Sequence, residues 1–285
     1  MTRLNLGLSI AALTAILYAG STEAAESVAE LGSHTHIHGL AVDRQKAGHL
    51  LIATHHGLYH AAPDGSAELV SIVQDFMGFN PDPEEPASLF ASGHPAGGGN
   101  LGVIHSSDNG RTWTELSPGA GGPVDFHQMT VSPVDPDVIF GAYGSLQVSR
   151  DGGKTWTEAA PAPERLIDLA ASAKNADTLY AATEGGLLVS PDAGLTWRAL
   201  IDDAPVTMVE TGADGALYAF VYGEGLKMAR EGVFKFETLA GDWGDGYILH
   251  LAVDPTDAKR LYAATGEGEV LASADGGATW SPFGE

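Results

Sequence analysis

Eleven histidines, five methionines and no cysteine make up the metal-ligating repertoire of this 285-residue chain. The histidines are bunched: His34, His36 and His38 alternate in HTHIHG, His55 and His56 adjoin in THHGL, and His94 opens HPAGGGN. Imidazole suits copper, zinc, nickel and iron, and thioether adds a preference for copper. Whether these side chains can meet depends on the elements that carry them.

A phrase repeated four times supplies those elements. SSDNGRTW begins at Ser106, SRDGGKTW at Ser149, SPDAGLTW at Ser190 and SADGGATW at Ser273, each reading Ser-x-Asp-x-Gly-x-Thr-Trp. The starts lie 43, 41 and 83 residues apart, so the last gap spans two repeats. A decayed copy fits Ala229-Arg230-Glu231-Gly232-Val233-Phe234, and one more repeat ends near Pro63-Asp64-Gly65. Six repeats of roughly 40 residues, each with four short β segments, indicate propeller blades.

Each repeat reads as an alternating strand A, a turn rich in Pro, Asp or Asn, an apolar strand B, a strand C, the box, and a strand D. ILHLAVDPTDAKRLYAA, from Ile248 to Ala264, shows the A–B portion clearly. The expected fold is therefore all-β, a six-bladed β-propeller of four-stranded antiparallel blades with the boxes in the C–D turns. In the box, Asp accepts hydrogen bonds from turn amides, Gly permits a positive φ, and Trp supplies an apolar body between layers. That is a structural role, since one carboxylate per turn is too few oxygens for calcium.

Antiparallel order sends the start of A and the end of B to one rim and the boxes to the other face. Alignment on strand B places His38, Met77 and His127 at one equivalent position, the start of strand A in blades one to three. It makes His55 and His94 equivalent at the ends of strand B. With His34, His36, His56 and His250, eight of the eleven histidines are expected on the rim opposite the boxes. We therefore expect a transition-metal site at the channel mouth, copper preferred and zinc possible, with His36, His38, His55, His94 and His127 as ligands and Met77 as a softer one. Asp125 and Glu184 are placed to orient imidazoles, and Asp168 is an alternative rim carboxylate. His49, on the box face, and His60 and His105, in strand C, are read as structural.

Composition sets the context. The formal charge of −23 excludes nucleic acid and anionic lipid as natural partners and favours cations, a basic protein partner or a neutral glycan. Arg3, the apolar run from Leu4 to about Gly20 and the small residues before Ala25 read as a signal peptide cleaved after Ala24, giving a periplasmic or secreted protein without membrane insertion. Residues 25–35 form an N-terminal extension, expected either to add a strand beside Trp280–Phe283 or to stay loose, and 36–285 a single propeller. Without cysteine there is neither a lipid-anchored cysteine nor a disulfide, so the hydrophobic core carries stability.

The four boxes resemble the Asp-box (BNR) repeats of sialidase-like, sortilin-like and photosystem II assembly-factor propellers, and the likeness extends from about His36 to Glu285. For sialidases the resemblance implies three arginines on the rim, a Tyr–Glu nucleophile pair and an acid/base Asp. This sequence departs from that pattern: Arg111, Arg150 and Arg198 lie in or beside boxes, only Arg165 starts an A strand, and an Arg-Ile-Pro signature is absent. Two alternatives to metal handling follow. One is a hydrolase of a non-sialic sugar using paired carboxylates with Trp243, Tyr222 and Tyr247 as stacking surfaces; the other is a protein-binding assembly scaffold.

Overall fold

The computed structural model describes residues 26–285; the expected signal segment and its cleavage point lie outside them. Six antiparallel sheets form a ring, and each blade takes its four strands consecutively from the chain. The innermost strands, A of blades one to six, are Ile37–Val42, Asp75–Pro81, Gln128–Val131, Leu166–Ala171, Val206–Thr211 and Ile248–Val253. Neighbouring A strands pack on one another around the ring, with blade six against blade one.

Strand chemistry follows radial position. B strands such as Leu50–Thr54, Leu179–Thr183 and Leu261–Thr265 are buried along their whole length because both sheet faces meet adjacent blades. They therefore read as continuous apolar runs, as expected for strands covered on both faces. The D strands at the perimeter, such as Thr114–Ser117 and Arg198–Asp202, are largely open and polar.

The Ser, Asp and Thr bonds are alike in all four boxes. In the second, Ser149 Oγ accepts from Gly153 N at 2.9 Å, while Asp151 accepts from Thr155 N at 2.8 Å and from Thr155 Oγ1 at 2.6 Å. Those bonds, the Thr155 hydroxyl first, hold the Asp151 carboxyl down at about 2. Gly153 sits at φ 83°, where a side chain is strained. Trp156 packs its ring 4.9 Å from that of Phe126 in the core between the blades. The decayed copy also occupies a C–D turn, between Gly225–Arg230 and Glu237–Ala240, with Phe234 packing near Tyr180.

The N-terminal extension differs from expectation. Glu26–Ser27 pairs with Ser66–Ala67, the outer strand of blade one, instead of lying beside Trp280–Phe283. A seven-residue helix, Val28–His34, follows, set by a capping box in which Ser27 and Glu30 exchange hydrogen bonds. Seven residues are too few to show helical periodicity, which is why the sequence pattern missed it. Val28 and Leu31 are buried in the same core as Tyr262, Val270 and Phe283, so the helix seals the junction of blades six and one. No helix among the described residues is long and apolar enough to cross a membrane.

Candidate functional site

A recurrent backbone irregularity sets the rim. In blades one, four, five and six the A–B register slips by one residue at the start of A, leaving His38, Ile167, Thr207 and Leu249 as the extra residue. Such a bulge re-aims side chains. The residue after it, Asp168 in blade four and His250 in blade six, lines the central channel along with His38.

Histidines from blades one and two meet carboxylates across the blade junctions, forming two separate groups instead of one. In the first, His55 Nδ1 lies 2.8 Å from Asp75 Oδ2, and its Nε2 lies 3.1 Å from His38 Nε2. Asp75 fixes the tautomer of His55, which donates from Nδ1 and turns the Nε2 lone pair towards His38. Two nitrogens bound at about 2.0–2.1 Å to one ion lie no more than about 4.2 Å apart, so this spacing admits a shared ion. The exposed ring of His36 stands 5.5 Å from His55 and 6.4 Å from His38, centroid to centroid, completing a set of three imidazoles. Burial and the neighbouring His55, in that order, push His38 down to about 3, so it is neutral and able to bind a metal ion at neutral pH.

In the second group, His94 Nε2 and His127 Nε2 converge on one oxygen, Asp125 Oδ2, at 2.9 and 2.7 Å. His94 Nδ1 is held by the carbonyl of Gly99, 2.8 Å away, so the glycine-rich insert folds back over its own histidine. The Asp125 hydrogen bond raises the pKa of His127 despite partial burial. Ligand atoms of His38, His55 and Asp75 fall within 4.8 Å of one another, as do those of His94, Asp125 and His127; His36 belongs to neither set. Asp75 Oδ1 and Asp125 Oδ1 are both buried without a hydrogen-bond partner. A buried carboxylate oxygen left without a partner is costly.

Several expected participants have other work. His34 belongs to the helix, paired with Glu26 at 3.1 Å and bonded to the Glu30 carbonyl at 2.9 Å. His250 donates from Nε2 to the Ile37 carbonyl, 3.2 Å away, tying blade six to blade one, and burial lowers its pKa to about 4. Met77 is 5 % exposed, a core residue and not a thioether displayed at the rim. Glu184 orients no imidazole: it pairs with Arg165 at 2.8 Å. Asp168 accepts the amides of Leu169 and Val209 and faces the channel, where burial raises it to about 7. His60 and His105 are bonded to Asp43 and Ser88. The rim of blades five and six instead presents Tyr222 and Tyr247, edge to face at 6.0 Å.

Asp75 was missed by sequence reasoning, although a signal existed. Asp75-Phe76-Met77 and Asp125-Phe126-His127 share an Asp-Phe pair at the same repeat position, and both phenylalanines are fully buried anchors. Glu210, deep in the channel, gave no comparable signal, since the equivalent positions in blades one, four and six hold Ala41, Ala170 and Ala252.

The family model described as BNR/Asp-box repeat matches residues 147–158, the second box with its flanks. One Asp-box repeat is thus recognised within a six-bladed β-propeller. Comparison with curated proteins finds no significant sequence match. Among solved structures, a GH74 enzyme from Niastella koreensis aligns at 16% identity and TM-score 0.60, covering 87% of this chain and 45% of its own. YCF48 bound to D1 peptide aligns at 17% identity and TM-score 0.53, covering 87% and 82%. The extracellular domain of the hybrid two-component system BT4673 from B. thetaiotaomicron aligns at 11% identity and TM-score 0.59, covering 87% and 33%. The chain thus spans about half the length of the GH74 structure, and at these identities the likeness is one of fold.

Proposed function

We propose that this Asp-box propeller is an exported protein that binds a divalent transition metal ion at the rim of blades one to three, for metal handling. The observation that carries the reading is the repeated imidazole–carboxylate unit: His55 with Asp75 and His94 with Asp125, at equivalent positions, each leaving one carboxylate oxygen buried and unpartnered. His38 and His36 add nitrogens to the first unit and His127 to the second. Imidazole with carboxylate suits Zn(II) and Cu(II), and the general affinity order places Cu(II) ahead. With Met77 in the core, the preference for copper rests on that order and not on thioether ligation. The net charge of −23 raises the local concentration of cations.

The test is metal analysis and competition titration of the mature protein with Cu(I), Cu(II) and Zn(II), alongside a His38→Ala, His127→Ala double variant. Wild type should bind Cu(II) and Zn(II) at least a hundredfold more tightly than the variant. Equal affinities would end the proposal.

A further inference from the structure

The channel continues past the histidines to the box face. There it widens into a cavity of about 280 Å³ whose walls come from the ends of the A strands, among them Val42, Phe79, Val131, Leu251 and Val253. Glu210 lines both this cavity and the smaller one, of about 60 Å³, behind the histidine rim. A carboxyl group thus lies where the two meet, in a cavity lined by these apolar strand ends and by polar groups such as Asn80, Asp82 and Thr130.

That carboxyl group has no cation to answer it. Glu210 Oε1 accepts only the amide of Thr211, at 2.8 Å. Asp168, its acidic neighbour, is engaged by two amides. Among the described residues no lysine or arginine pairs with either. The one arginine at the mouth, Arg44, is turned to the Asp82 and Glu84 carbonyls. Burial raises Glu210 to about 8, with Asp168 pushing in the same direction, so a cation seated on it would favour its ionised form. Of the histidines facing the inner chamber, His250 and His38 are driven neutral by burial, and His127 is paired with Asp125 at 2.7 Å.

We propose that the box-face cavity binds a small organic ammonium ion, its cationic head on Glu210 and its apolar body against the A-strand ends. A bare metal ion would leave those walls unused, and a neutral or anionic molecule would gain no charge pairing with Glu210. The cavity lies at the lower end of the size range of ligand pockets, which limits the guest to a short alkyl or arylalkyl chain. Glu210 borders the chamber behind His38 and His127, but the guest enters from the box face, so the proposal stands whether or not the rim groups take a metal.

Hexylammonium is the probe, titrated calorimetrically into chelator-treated mature protein at pH 8, with hexanol and hexanoate sharing its apolar body. Hexylammonium should bind at least tenfold more tightly than either control. Glu210→Gln should remove that advantage, and Ala213→Trp, at the exposed mouth, should block entry without touching the carboxyl group. Equal binding of hexanol, absence of hexylammonium binding, or indifference to both variants would each overturn the proposal. So would Zn(II) binding lost in Glu210→Gln without any hexylammonium binding, which would reassign the carboxylates to an inorganic cation. If Glu210→Gln fails to fold, the Ala213→Trp arm and the hexanol comparison decide.

Discussion

The two imidazole–carboxylate groups are built from the same repeat positions yet are electrostatically opposite. In the first, imidazoles face each other: His38 and His55 bring nitrogens to 3.1 Å, and burial with mutual repulsion keeps His38 neutral. In the second, both imidazoles face a carboxylate, and Asp125 draws a proton onto His127. The difference arises from which blade supplies the extra histidine. His38 comes from the blade that also supplies His55, whereas His127 follows Asp125 by two residues. The first group therefore offers the proposed ion a neutral imidazole in His38, whereas in the second a proton competes more strongly for His127.

The largest expected effect separates the groups directly. His38→Ala with His55→Ala should weaken the tightest metal binding at least a hundredfold, whereas His94→Ala with His127→Ala should change it less than threefold; competition titration of both doubles decides. Comparable losses would erase the distinction. Next, Asp75→Asn should cost about 10–100-fold in metal affinity through loss of the His55 tautomer and orientation, with a smaller effect from Asp125→Asn in the same assay. The pH dependence sharpens the contrast further. His38, neutral down to about 3, offers no proton competition between pH 5.5 and 8, whereas one displaced proton on His127 costs about tenfold per pH unit below its raised pKa. The affinity ratio of the two groups should therefore widen on acidification, as read by titrations at several pH values.

The smallest effect is on stability. The folded pKa of His127 lies above its unfolded value of 6.5, so the Asp125 pairing contributes fully below pH 6.5 and is lost as pH rises through the folded pKa. Asp125→Asn should then destabilise more at pH 5.5 than at pH 8.5 in chemical denaturation. The pairing itself is worth no more than about 1 kcal/mol, because His127 is half exposed.

Blade architecture was legible in the sequence because box, turn and strand chemistry recur at a fixed period, and even the decayed copy at Ala229–Phe234 kept its place. The face assignment was legible for the same reason: strand order alone sends A-starts and B-ends to one rim. Side-chain partnership was not. Period and polarity report where a residue's backbone lies, whereas the division into two groups depends on bulges and on carboxylates such as Asp75, whose partner His55 is twenty residues away on another blade. The helix Val28–His34 and the core placement of Met77 escaped for related reasons, being decided by local capping and by packing between blades.

The seam between blades six and one is sealed by that helix and by the His250 to Ile37 bond, with no strand exchanged across it. Where the polypeptide begins is thus nearly independent of how the ring is assembled. If the helix stays attached to blade one, a circular permutant of residues 26–285 opened at another interblade loop, with residues 26 and 285 joined through a linker, would keep every sheet intact. Gly65 and Gly284 already touch across the seam.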